Sequence, residues 1–130
     1  MSQIRSIILL SLLLAVAGRA AAAEVPILSG GIGESGREEL AARQSEFSLK
    51  LVFAYASGSY LASVAVRIAD AASGEVLVDA VSNGPWFLAD LPAGRYRVTA
   101  TYEGESQSAD VSVPAQGLRE VTLRWQAPPE

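Results

Sequence analysis

Leu91-Pro92-Ala93-Gly94 turns the chain sharply, and the residues after it alternate without a break: Tyr96, Val98, Ala100 and Tyr102 against Arg95, Arg97, Thr99 and Thr101. A period of two belongs to a strand with one buried face, since a helix of this sequence would scatter the arginines among its apolar positions. The same period recurs upstream. Phe47, Leu49, Leu51, Phe53 and Tyr55 share one side, with Ser48, Lys50, Val52 and Ala54 on the other. Tyr60 to Asp70 follows the loop Ala56-Ser57-Gly58-Ser59, with Val64, Val66 and Ile68 inward and Ala65, Arg67 and Ala69 outward.

Turn chemistry separates these runs at intervals that suit short strands. Ser73-Gly74 leads into Glu75 to Val81, Asn83-Gly84-Pro85 into Trp86 to Ala89, and Glu103-Gly104-Glu105 into Ser108 to Val113; Glu120 to Trp125 comes last. About seven strands with no long crossover helix predict an all-β fold, an antiparallel β-sandwich of two sheets in the prealbumin-like or immunoglobulin-like manner. The sandwich is expected over residues 46–125, and 126–130, with two prolines, as a flexible tail. Residues 24–45 form a Gly-rich lead-in. Ser35 and Glu38 stand at capping-box spacing, which allows about two turns of helix from Arg37 to Gln44. The cluster Gly30-Gly31-Ile32-Gly33 could cradle an anion, but no strand is expected before it and it lacks the Lys and Ser/Thr of a P-loop, so it reads as a flexible lead-in.

The first 23 residues have the zones of a secretory signal: Arg5, an apolar run of eleven residues from Ile7 to Ala17, then Ala20 to Ala23. Such a run is shorter than the roughly 20 residues a spanning helix needs. Cleavage after Ala23 is expected to release a periplasmic or secreted protein with no membrane attachment. Ten basic residues then become eight with the loss of Arg5 and Arg19, against 14 acidic ones, and the net charge moves from −4 to −6. That balance opposes binding to nucleic acid or anionic lipid, which depends on clustered cations. No cysteine is present, so the fold must rest on its apolar core; half of the residues are hydrophobic.

Tyr60 to Ile68, Asp70 to Gly74, Gly84 to Leu88 and above all Leu91 to Val98, a Leu-Pro-x-Gly-x-Tyr-x-Val core, resemble the carboxypeptidase regulatory-like domain. The resemblance extends from about Phe47 to Trp125. It departs at Ser82 to Trp86, where such domains usually place a Thr-Asp-type turn. It implies a prealbumin-like scaffold that presents loops and carries no fixed activity. Independently of the resemblance, Tyr96 after Pro92 and Gly94 is placed to bury its ring and return its hydroxyl to loop backbone, as a tyrosine corner does.

The chain contains no histidine, and its one methionine is Met1. Ser-His-Asp catalysis, histidine metal centres and copper sites built on His or Met are thereby removed, and the missing cysteine removes thiol chemistry. The acids lack the dense spacing of a calcium loop. No metal and no cofactor are expected. A hydrolase using carboxylates, or a Ser/Lys dyad through Lys50, the single lysine, is the third reading; mid-strand on a polar face, Lys50 is expected to be a solvated charge. The first reading is a non-catalytic module that binds an envelope protein or a glycan through Ser57 to Tyr60 and Ser82 to Ala89. Its candidate contacts are Trp86, Phe87, Tyr60, Arg95 and Arg97. Because aromatics dominate cores, the favoured role for Trp86 or Phe87 is to plug the end of the sandwich, and Trp125, in step with Val121 and Leu123, is expected in the core. The second reading is a structural or stress-related envelope protein that acts by strand addition at a sheet edge.

Overall fold

Alternating apolar side chains need an opposing apolar surface, and two sheets supply it to each other. The computed structural model describes residues 25–126, so the expected leader and nearly all of the expected tail lie outside the described residues. Eight strands are present: β1 (Ile27–Gly30), β2 (Leu49–Tyr55), β3 (Val64–Asp70), β4 (Val76–Ser82), β5 (Trp86–Ala89), β6 (Gly94–Tyr102), β7 (Glu105–Val113) and β8 (Arg119–Trp125). They form a sandwich of two four-stranded sheets, ordered β1-β5-β2-β8 and β4-β3-β6-β7. Helix α1 (Gly33–Arg43) and a short 3₁₀ turn lie between β1 and β2. Among the described residues no helix is long and apolar enough to cross a membrane.

One pairing departs from the antiparallel expectation. β2 and β8 run parallel, from Leu49 opposite Arg119 to Tyr55 opposite Trp125, whereas the other pairs are antiparallel. The lead-in also departs. β1 pairs with β5, Ile27 opposite Ala89 through Gly30 opposite Trp86, which makes it the eighth strand rather than a loose tether. The helix begins at Gly33, earlier than Arg37, and its N-cap is Ile32 without a side-chain cap, so Ser35 lies inside it. Gly31 explains the shift. Its φ of 88° reverses the chain straight out of β1, and the helix starts before the Ser35 signal is reached.

Leu49, Leu51, Phe53, Val64, Val66, Ile68, Phe87 and Val98 fill the space between the sheets at no more than 1% exposure. At one end Phe53, Trp125, Tyr102 and Tyr55 form a chain of edge-to-face rings with centroids 6.0–6.2 Å apart. Trp125 Nε1 donates to Glu105 O (3.1 Å), tying β8 to β7 across the two sheets. Trp125 is therefore core, as its period suggests.

At the other end Ser48 Oγ donates to Leu91 O and accepts from Leu91 N, each at 2.8 Å, fixing the Leu91-Pro92 loop. Tyr96 Oη donates to Pro92 O at 2.6 Å while its ring is buried, so the expected corner is formed. Tyr96→Phe is expected to cost about 0.5–1.5 kcal/mol, the net worth of one hydrogen bond, since the exposed Pro92 carbonyl can turn to water. Urea denaturation monitored by fluorescence checks it, and an unchanged midpoint would disprove the corner's role.

The aromatic end titrates distinctively. The hydrogen bond that the neutral Tyr102 hydroxyl shares with Tyr55, 3.3 Å between oxygens, is the main reason that the Tyr102 phenol is pushed up to about 12, with burial adding to it. A pKa raised on folding favours the neutral form in the folded state. The stabilisation is complete below the ordinary tyrosine value of about 10 and disappears as pH rises toward 12. Tyrosinate absorbance should show part of the four-tyrosine signal delayed, and Tyr55→Phe should move that part earlier.

Candidate functional site

The outer face of the β1-β5-β2-β8 sheet is not simply solvated. α1 rests on it through Leu40, which packs with Phe47 and Leu88 and with the partly buried Leu28, Trp86 and Leu118. Beside this small second core the sheet register lines up polar residues. Lys50 stands opposite Glu120, Val52 opposite both Thr122 and Trp86, and Ala54 opposite Arg124. With Tyr60 and Gly58 these residues enclose a recess of about 270 Å³.

Lys50 is the unexpected member. Its side chain is 8% exposed, against the solvated position that its place on the polar face predicts. The reason is cover from outside the strand: the residues after α1 and the Trp86 ring close over it. Nζ lies 3.3 Å from Glu120 Oε1, donates to Gln44 Oε1 at 3.2 Å, and sits 3.5 Å from the centroid of the Trp86 ring. Among the described residues its polar partners are Gln44 and Glu120.

Tyr60 also lies outside the strand expected for it. β3 starts at Val64, and Tyr60 makes an isolated bridge to Ala54 and is 50% exposed. The Arg37 guanidinium lies over the Tyr60 ring, 4.8 Å from its centroid, and Nη1 donates to Gly31 O (3.3 Å). A second recess of about 320 Å³ opens on the far side of Tyr60, lined by Gly31, Ile32, Arg37 and Pro85. Gly31 is close-fitted here. A Cβ on it would stand 3.2 Å from Trp86 Cγ, so the glycine cluster provides close approach between β1 and β5 rather than slack.

The five sequence candidates separate into three places. Trp86 and Tyr60 meet at the first recess. Phe87, 1% exposed, points the other way into the sandwich, so it is a core residue out of reach of any surface ligand. Arg95 and Arg97 lie on the outer face of the opposite sheet, beside a hollow of about 330 Å³ lined also by Asp110 and Ser112. Arg97 Nε is 3.5 Å from Asp110 there, an exposed pair worth little. Thr99 and Thr101 continue that strip and are bonded to Ser108 (3.2 Å) and Ser106 (2.7 Å). Sequence reasoning missed Lys50, Arg37, Glu120 and Arg124 as members of the Trp86 face. The outward period of Glu120, Thr122 and Arg124 was a signal for three of the lining positions, but nothing local announced that β8 lies beside β2.

Among the described residues, no group of three or more His, Cys, Asp or Glu is placed to hold a metal ion. No family model matches the chain, and no curated protein matches it.

Proposed function

We propose that the chain is a non-catalytic binding module of the cell envelope, periplasmic or secreted, which takes a glycan at the face formed by Trp86, Tyr60 and Lys50. The observation that carries this reading is the buried Lys50. A lysine nearly withdrawn from water on the outer face of a sheet is a poor stabiliser, since an apolar residue of similar volume does as well or better. A charge held there against the Trp86 ring, in the lining of a recess that Tyr60 shares, is an arrangement suited to recognition. The signal-like leader supports export. The Leu91 to Val98 motif is the support for a module of the carboxypeptidase regulatory-like type.

Glycan-array binding by the purified protein, run beside Trp86→Ala, tests the reading. The variant is expected to lose affinity by more than about tenfold, as removal of a central aromatic contact does. Equal retention by both proteins would reject this face, and retention of an envelope protein instead of glycans would reassign the ligand.

A second reading rests on β4, which ends its sheet and exposes Val76 (48%) and Val81 (59%). An open, partly apolar edge is a template for strand addition. Val76→Lys with Val81→Lys should abolish that mode and leave the Trp86 face unaffected.

A further inference from the structure

Each aromatic ring at the recess already carries a cation: Lys50 sits over Trp86 and Arg37 over Tyr60. The rings therefore act as mounts, and the groups displayed toward a ligand are charges. Lys50, Arg124 and, across Tyr60, Arg37 surround the recess, with Glu120 the one carboxylate in its lining. This is a local excess of positive charge on a chain whose net charge is −4.

We propose, building on the glycan reading above, that the ligand is an acidic saccharide whose carboxylate binds Lys50 and Arg124, and that Glu120 holds the ligand's place when the site is free. The asymmetry of the Lys50–Glu120 pair carries the idea. The lysine is fixed by Gln44 and the Trp86 ring, with 8% of its side chain exposed, whereas the Glu120 side chain is 55% exposed. Glu120 regains water as it swings out, so the cost of opening the pair falls on Lys50. Lys50 cannot follow, and it must keep an anionic partner or stand nearly buried with an unpaired charge. A sugar carboxylate satisfies it; a neutral sugar displaces Glu120 and replaces it with nothing. Arg124, with no ion pair among the described residues, adds a planar donor four residues beyond Glu120 on the same face of β8. A recess of about 270 Å³ admits one or two sugar rings, not a duplex backbone, whose binding needs a longer run of cations.

The test is calorimetric titration of the purified protein with oligosaccharides of galacturonate, glucuronate and mannuronate, each against its methyl ester. The ester keeps the ring and removes the charge. At least one acid should bind, its ester more than about tenfold more weakly, with affinity falling as salt is raised. Glu120→Gln should tighten binding of that acid by removing the internal competitor, while Arg124→Gln and Lys50→Met weaken it. Lys50→Met risks the local packing, so the gain in Glu120→Gln, at a surface position, is the decisive variant. Esters that bind as tightly as acids, or a Glu120→Gln protein with unchanged or weaker affinity, would overturn the charge assignment. If neutral glycans bind and Trp86→Ala abolishes that binding, the glycan reading stands and this inference falls. If no saccharide binds, both fall.

Discussion

Gly84→Ala is expected to unseat β1 and α1 from the sandwich. Gly84 is buried in the turn between β4 and β5, and a Cβ added there would overlap the Gly30 carbonyl and come within 3.0 Å of Gly30 Cα. Its φ lies in the ordinary range, so the alanine itself is unstrained and the whole effect is close approach. The obstacle is backbone, which cannot rotate aside as a flexible side chain would. Relief requires β1 to move off β5, breaking the register in which Gly30 faces Trp86. With β1 goes the turn at Gly31, then Leu40 from its contact with Leu88 and Phe47, and the cover over Lys50 opens. The expected loss is about 3 kcal/mol, the upper end for forcing atoms into a packed interior, and roughly 4–8 °C in melting temperature per kcal/mol. Thermal denaturation measures the first part. Hydrogen exchange measures the second: protection of residues 27–30 and of the α1 amides should collapse while β3 and β6 keep theirs. A variant with wild-type melting and wild-type protection would show that the approach is not tight in solution.

What the sequence made legible, and what it did not, follows from the range of the interaction concerned. The alternation from Arg95 to Tyr102 and from Val64 to Asp70 is local, and both strands are present with the expected faces inward. Tyr96 and its loop are also close in sequence, with only four positions between hydroxyl and acceptor, so the corner was predictable from the residues that form it. Ser82 behaves similarly, donating to Gly84 O at 2.7 Å within its own turn. The parallel β2-β8 pair is the opposite case, because nothing near Leu49 encodes that Arg119 will lie beside it. β1 is four residues long and gains its identity from β5, far along the chain. Phe47 was read into the main core by its period, yet it precedes β2 and belongs to the small cluster with Leu40 and Leu88 on the other side of the sheet. Lys50 was misread for the same reason. Its alternation correctly put it on the outer face, but only α1 decides that this face is covered. α1 announces itself poorly, since Leu40 is its one buried residue.

Phe87→Ala and Trp86→Ala, adjacent in sequence, should fail in different ways, and the contrast tests how β5 divides its work. Phe87 lies opposite Leu51 on one neighbour and Ser29 on the other and is buried among both sheets. Truncating it leaves a void that the surrounding strands cannot fill, at a cost of about 3–5 kcal/mol. A domain of this size has about 5–15 kcal/mol in hand, so a fifth of its margin or more goes. The denaturation midpoint should fall with the slope little changed, because the surface exposed on unfolding is nearly the same. The molecules that remain folded should still bind, since Phe87 is buried between the sheets, away from the recess. Trp86 is half-buried on the opposite side of the strand, between the Gly31 backbone and the Lys50 ammonium. Its loss removes a mount for Lys50 rather than part of the central core. Stability should therefore drop less than in Phe87→Ala, while affinity disappears even at low temperature, where the variant is fully folded. Affinity retained by folded Trp86→Ala, or lost by folded Phe87→Ala, would place the recognition surface elsewhere than on the helix-covered face.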